Sequence, residues 1–308
     1  MEKYGTYKLP DGFMNEEVRD EFVVTSDRKK IWAVELQLLN ELLRVCDKHN
    51  IRVYVYAGTL LGAVRHGGFI PWDDDADVCL LHDDYVKLCE VATTEFKDPY
   101  FFQNALTDRK YFFRYARLRK SDTTGLIIGQ ESPDYNNGIF LDVFILNGLT
   151  DNKFLLKKQL FEMKITWKLC RAYIADLSQK SFYKRPFIWF AQFVEKILFK
   201  YEWLVELNSK VQGRYDYSAK KVALMTHGKK MMSEYWCAKE DFGEPDYMQF
   251  ENLMVPVPSN YKTFLNNAYG DYMEFPPLEE RGKWHDNVIV FAPDIPYKEY
   301  LLKNRKGN

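Results

Sequence analysis

Residues 73–77 read DDDAD and run without a break into the apolar VCLL. Few features limit a fold more than a block of like charge at the mouth of a buried strand. Side chains alternate along a strand, so Asp75 and Asp77 share a face, and Asp73 joins them if the strand begins early. Carboxylates held a few ångströms apart repel, so one takes a proton or a cation sits between them. A hard divalent cation with oxygen ligands suits such a site. A solvated acidic turn is the plain alternative, and the apolar run that follows weighs against it. An EF-hand loop starting at Asp73 needs glycine at its sixth position and glutamate at its twelfth; Val78 and Asp84 stand there.

A further acid, Asp142, lies inside IFLDVFIL, where a lone carboxylate is costly unless it is paired or metal-bound. A bond to backbone or to an arginine is the other way to hold it. Upstream, Gly58 interrupts the β-rich IRVYVY of residues 51–56. A glycine turn, Asp-x-Asp on one strand and a lone Asp on a later strand form the arrangement of the nucleotidyltransferase superfold. The turn lets backbone approach a phosphate, and the acids hold the metal that bridges to it.

The surrounding pattern predicts an amphipathic helix over 28–49, capped by Ser26 or Asp27, then strands over 51–56 and 75–81 and a helix over 83–96. Strands follow near 100–104, 112–119 and 138–146. Long helices are expected over 152–176 and 186–212, a strand within 250–258 and a helix over 259–269. This is an α+β chain: a nucleotidyltransferase-like mixed β-sheet flanked by helices, with a mainly helical C-terminal subdomain. The composition shift near residue 150 suggests a catalytic core over 1–150 and a helical subdomain and C-terminal module over 151–308 that completes the site. The two parts also read as one continuous domain.

With 43 Lys and Arg against 44 Asp and Glu, the chain lacks the basic excess of a nucleic-acid binder. The five cysteines, Cys46, Cys79, Cys89, Cys170 and Cys237, form no CxxC pair, so neither a zinc site nor a disulfide framework is expected. The polar N-terminus and the lack of a long uncharged apolar stretch point to a cytoplasmic setting. Residues 182–204, aromatic and basic, read either as a buried helix, the preferred reading, or as a peripheral contact at the inner face of the membrane.

YAGTLLGAVRHGGFIPWDDDADV closely resembles the signature of the LicD family of phosphotransferases, which includes bacterial phosphocholine transferases and to which the animal fukutin-related proteins are related. LLNELLRVCDKHNIRVYVYAGTLLG, FFRYARLRKSDTT, NNGIFLDVFILNG and FENLMVPVPSNYKTFLNNAYGDYMEFPP extend the resemblance from about residue 28 to 285. It implies transfer of a phospho-substituent from a CDP-linked donor to a sugar hydroxyl of a cell-envelope glycan, which is in some cases lipid-linked. Mg or Mn would be held by Asp75, Asp77 and Asp142, with Gly58 and Thr59 cradling donor phosphate. The family's fukutin-related zinc cysteines have no counterpart here. Ile145 and Asn147 stand where members commonly carry proline and aspartate, which bears on donor or acceptor specificity.

Asp73, Asp74, Arg65, His66, Arg117, Arg119 and His285 complete the candidate substrate-binding set. Arginine suits bidentate phosphate contact, and histidine can relay a proton. Arg65 could instead pair with an aspartate, Arg117 and Arg119 could form a solvated strand edge, and His285 could lie on the surface. Two other functions fit the same residues: a nucleotidyltransferase moving a nucleotide from a triphosphate, and an inactive glycan-binding protein.

Overall fold

The computed structural model describes residues 4–111, 113–127, 134–177, 181–227, 232, 236–282 and 289–305. It is an α+β structure built on a mixed sheet. An N-terminal hairpin, β1 (Glu17–Arg19) and β2 (Phe22–Val24), precedes the long helix α1 (Ser26–Lys48). The α1 cap is Thr25, whose Oγ1 accepts from the Arg28 N–H at 3.3 Å, so the helix starts two residues before the expected Arg28 and neither Ser26 nor Asp27 caps it. Trp32, Leu36, Leu39, Leu42 and Leu43 of α1 are buried in the main core.

Next come β3 (Tyr54–Val55), α2 (Ala57–Arg65), β4 (Asp77–Leu81) and α3 (His82–Glu95). β5 (Tyr100–Gln103), β6 (Ala116–Lys120), β7 (Thr124–Ile127) and β8 (Ile139–Leu149) follow. β8 organises the sheet. Its first half lies between β4, which it joins in parallel, and β6, which it joins antiparallel. Its last residues pair with β9 (Lys221–Ala223), which pairs with β10 (Cys237–Ala238). A strand buried on both faces needs a near-continuous apolar run, which IFLDVFIL supplies apart from its aspartate.

The second half contributes α4 (Lys153–Tyr173), α5 (Arg185–Leu198) and α6 (Tyr201–Gln212). The helix expected over 186–212 breaks at Lys200, whose extended backbone (φ −87°, ψ 145°) caps α6. The break separates α6, which buries Tyr201, Leu204 and Val211, from α5, which turns its aromatics outward. Residues 182–204 are thus not a buried helix throughout: Phe187 is 79% and Phe190 62% exposed. A hairpin of β11 (Asp246–Phe250) and β12 (Leu253–Val257) leads into a helix at Tyr261–Tyr269. The strand Ile289–Ala292 returns to pair with β7, a long-range pairing that local periodicity does not reveal.

Candidate active site

Two of the acids meet because of register. In the parallel β4–β8 pair Asp77 lies opposite Asp142, and in the antiparallel β6–β8 pair Asp142 lies opposite Arg117. Cross-strand neighbours share a face, so Arg117, Asp142 and Asp77 form a row across three strands, with Asp75 two residues upstream of Asp77. Arg117 Nε donates to Asp142 Oδ1 at 2.6 Å, and its Nη2 donates to the Tyr115 hydroxyl at 3.0 Å. The guanidinium also lies 3.9 Å from the Phe140 ring centroid. Both members of the pair are largely enclosed, and the Asp142 carboxylate beside it holds the Arg117 pKa above its usual value despite burial. Arg117 is therefore no solvated edge residue; it orients Asp142 and leaves that carboxylate's second oxygen for another ligand.

Backbone bonds fix the other acids. Asp77 N–H donates to Thr59 Oγ1 at 2.7 Å, so this α2 hydroxyl positions the aspartate. The Asp73 carbonyl accepts from Arg28 Nη1 at 2.9 Å and from Trp32 Nε1 at 3.0 Å. Its carboxylate lies against Gly58, where an added Cβ would come 2.8 Å from Oδ2. The expected glycine turn is the first turn of α2, with Ala57 ahead of it at φ +46°. Asp74 is buried, and its N–H donates to Asp73 Oδ1 at 3.2 Å.

One turn beyond Trp32 on α1, Glu35 is completely buried, and its Oε2 has no hydrogen-bond partner. Burial, then the charges of Asp74, Asp73 and Asp77, push its carboxyl well above the ordinary range. Burial, then Asp73 and Asp77, do the same to Asp75. Neighbouring carboxylates with an orphaned buried oxygen on Glu35 suit a divalent cation: Asp75, Asp77 and Asp142 offer oxygen donors of the type Mg or Mn takes, though their oxygens do not all lie within 4.8 Å of one another in this structure.

A cavity of about 670 Å³ opens beside Gly58 and Asp73, walled by Arg65, Trp72, Tyr272 and Phe275. The segment after Tyr261–Tyr269 therefore supplies one side of it. Arg65 Nη1 donates to the carbonyls of Tyr272 at 3.0 Å and Glu274 at 3.2 Å, and its Nε contacts His66 Nε2 at 2.9 Å. It does not pair with an aspartate of the cluster. His66 Nδ1 meets Asp20 Oδ2 at 2.7 Å and its ring stacks on Phe275; burial, then Arg65, lower its pKa. Arg281 covers Trp72 at 4.6 Å from the ring centroid. The turn below is fixed by Glu251, which accepts from the Phe69 N–H at 3.1 Å and from Arg19 at 2.5 Å, while Gly67 takes φ +64°.

The structure does not bring Arg119 to this cavity. It is buried, donating to Gln103 Oε1 at 2.6 Å and to the Gly138 carbonyl at 2.6 Å; burial, then Arg117, depress its pKa. It braces the sheet rather than facing a diphosphate. His285 lies outside the described residues. Glu35, Arg28 and Trp32 escape sequence reading, since each acts through a contact distant in the chain, and Tyr115 escapes it because only the strand geometry brings its hydroxyl to Arg117. The helical period alone would have placed Glu35 three residues from Trp32, among core positions.

The sequence has relatives. The lipopolysaccharide cholinephosphotransferase LicD of Haemophilus influenzae is 26% identical over 259 residues, covering 81% of this chain and 92% of that protein. Two uncharacterized proteins, from Rickettsia prowazekii and Rickettsia typhi, are 44% and 42% identical over 55 residues, 18% of this chain in each case and 21% and 18% of theirs. Residues 50–187, which contain α2, β4, β6 and β8 and hence every acid of the cluster except Glu35, match the family described as LicD/FKTN/FKRP, nucleotidyltransferase domain. Over residues 50–187 the chain is similar to the nucleotidyltransferase domain of that family.

Proposed function

We propose that the protein moves a phospho-substituent, phosphocholine or a similar phosphoalcohol, from a CDP-linked donor to a sugar hydroxyl of a cell-envelope glycan, releasing CMP. The observation that carries this reading is the in-register row of Arg117, Asp142 and Asp77; a cavity large enough for a nucleotide opens at Asp73, four residues before Asp77, though none of the three lines it. The relationship to a lipopolysaccharide cholinephosphotransferase over 92% of that protein's length supports the choice of donor and acceptor.

Asp75, Asp77 and Asp142 would hold Mg or Mn. A bound divalent cation supplies stabilisation of the charge that develops on the leaving phosphate oxygen. The chain's own residues do the rest. Thr59 fixes the Asp77 backbone, and Arg117 keeps Asp142 oriented. Gly58 leaves room for the Asp73 carboxylate at the edge of the cavity. Arg65 and the Trp72–Phe275 wall give the cavity one cationic, aromatic side, while Asp73, Asp271, Glu274 and Glu280 also line it, so a diphosphate there would enter with a divalent cation. In the reaction the acceptor hydroxyl loses its proton, its oxygen bonds to the phosphorus bearing the alcohol, and the bond from that phosphorus to CMP breaks. We read residues 151–308 as the part that completes this site.

The glycan acceptor we place at a membrane surface. Among the described residues no helix is long and apolar enough to span a bilayer. Yet Phe182, Phe187, Trp189, Phe190, Phe193 and Ile197 are all more than half exposed along α5 and its approach, with Lys184, Arg185, Lys196 and Lys200 near the ends. An apolar face flanked by basic residues suits the headgroup region of an anionic leaflet, and the inner face of a bacterial membrane is the setting we infer.

The test is a donor screen with Mg or Mn present. CDP-alcohols with a glycan acceptor should yield CMP and a phosphodiester-modified sugar. Labelled nucleotide in the acceptor, with pyrophosphate released from a triphosphate, would establish nucleotidyl transfer instead. Glycan binding without turnover of any donor would leave only a binding protein.

A further inference from the structure

At the far end of β4, about 16 Å from Asp77 at the usual strand rise, three side chains come together from distant parts of the chain. His82 and Asp83 open α3, and Asp216 follows α6. One ligating atom from each lies within 4.8 Å of the others. We propose that His82, Asp83 and Asp216 form a zinc site, separate from the acidic centre, that clamps the helical layer to the sheet.

Ligand chemistry and geometry both carry this. His82 Nδ1 lies 3.4 Å from Asp216 Oδ2 and 4.0 Å from Asp83 Oδ1. Two donors at ordinary Zn–N and Zn–O distances in a tetrahedral shell are roughly 3.3 Å apart, which matches the first separation. The exposed Asp83 closes the second by turning its side chain. Asp216 is 8% exposed, and its Oδ2 is enclosed with no hydrogen-bond partner, while Oδ1 accepts from the Gly148 N–H. The enclosed oxygen and the imidazole nitrogen face each other without a hydrogen bond between them.

The other imidazole nitrogen, Nε2, lies 3.0 Å from Ser209 Oγ. A metal-binding histidine commonly donates its second N–H to such an oxygen, which fixes the tautomer and leaves the first nitrogen's lone pair for the metal. Gly213 leaves the space over this pair open, since a Cβ there would meet the His82 ring and come 3.1 Å from Asp216 Oδ2. His82 and Ser209 also line a cavity of about 400 Å³. Asn147, one residue past the Leu81–Leu146 pair of β4 and β8, is buried with both amide atoms unpartnered, a second orphaned polar group at this end of the sheet. Imidazole with carboxylates selects zinc over the hard cations of the acidic centre. Cysteine spacing could not reveal the site, because it uses no cysteine and joins residues 82 and 83 to 216.

The test titrates the metal-stripped full chain with Zn²⁺ against a chromophoric chelator. Two backgrounds blunt the acidic centre: Asp77→Asn with Asp142→Asn, and wild type in excess Mg²⁺. One equivalent of Zn²⁺ should bind in both, and Co²⁺ in its place should show the ligand-field bands of a low-coordinate site. His82→Gln and Asp216→Asn should abolish both signals, and Ser209→Ala should weaken binding about ten- to a hundredfold. Zn²⁺ should also raise the melting temperature, and lose that effect in His82→Gln. No bound Zn²⁺ in these backgrounds, or binding unchanged by His82→Gln and Asp216→Asn, overturns the proposal and leaves His82 as a packing contact between Asp83 and Asp216. Should either buried variant fail to fold, the exposed Asp83→Asn decides: tenfold or greater weakening supports the site, and unchanged affinity overturns it.

Discussion

Replacing Arg117 with methionine tests the electrostatic logic of the acid row most directly. The side chain donates to Asp142 Oδ1 at 2.6 Å, with both groups largely enclosed. Removing one partner of a buried pair leaves the other charge uncompensated, at a cost of about 3–5 kcal/mol. Loss of the stacking on Phe140 at 3.9 Å adds about 0.5–2 kcal/mol, part of which the methionine recovers by packing. Against a typical total stability of about 5–15 kcal/mol, the variant should still fold. Asp142→Asn alone leaves a buried guanidinium facing an amide and also destabilises. The double variant buries neither charge, so it should be more stable than the sum of the singles by about 2–3 kcal/mol. Urea unfolding in chelator, at low and high salt, measures this; a buried pair should be weakly screened. Arg117→Met within about 0.5 kcal/mol of wild type, the range of an ordinary surface change, would refute the reasoning, as would strict additivity.

Other consequences follow from the same contacts. Asp75→Asn, Asp77→Asn and Asp142→Asn should each lower transfer by about a thousandfold or more, the equivalent of several kcal/mol of metal-dependent stabilisation, with circular dichroism unchanged. Burial and its acidic neighbours raise the Asp75 pKa above the unfolded value of 3.8, so its protonation favours the folded state at low pH. Metal-free wild type should therefore lose stability relative to Asp75→Asn as pH rises from about 4 towards neutrality, measurable by melting curves across pH. Thr59→Val leaves the Asp77 N–H without its acceptor and should cost about 1–3 kcal/mol, with turnover falling more than donor affinity. Trp189→Ser with Phe190→Ser and Phe193→Ser should abolish sedimentation with anionic vesicles while leaving transfer to a soluble acceptor intact; sedimentation equal to wild type would remove α5 as the membrane contact.

Much of this was written locally in the chain. The run DDDADVCLL announces a carboxylate cluster at a strand mouth because like charge beside apolar sequence has few stable resolutions, and IFLDVFIL announces a doubly buried strand because a short apolar run rich in β-branched and aromatic residues, preceded by glycine, suits one. Helices α1 and α3 follow from 3.6-residue periodicity within a residue or two at either end. Local pattern could not say which strand lies beside which. A parallel register placing Asp77 against Asp142, 65 positions apart by their numbers, is chosen by packing of the whole sheet. So is the partner of Arg117: an isolated arginine on a strand reads equally as solvated or as phosphate-binding until Asp142 is set opposite it. Arg119, two residues on and on the same face, ends among carbonyls because β5 and the Gly138 turn close over it. The fate of α5 was also hidden, since an aromatic helix looks alike whether a neighbouring layer covers it or not. His82 and Asp216 meet only because α6 returns its C-terminal end to the edge where β4 and β8 finish. Composition and period determine which segments are helix, strand or charged turn, because those depend on neighbours a few residues away. Pairing, burial and the meeting of charged groups depend on chain closure across tens to hundreds of residues, and the tertiary structure alone decides them.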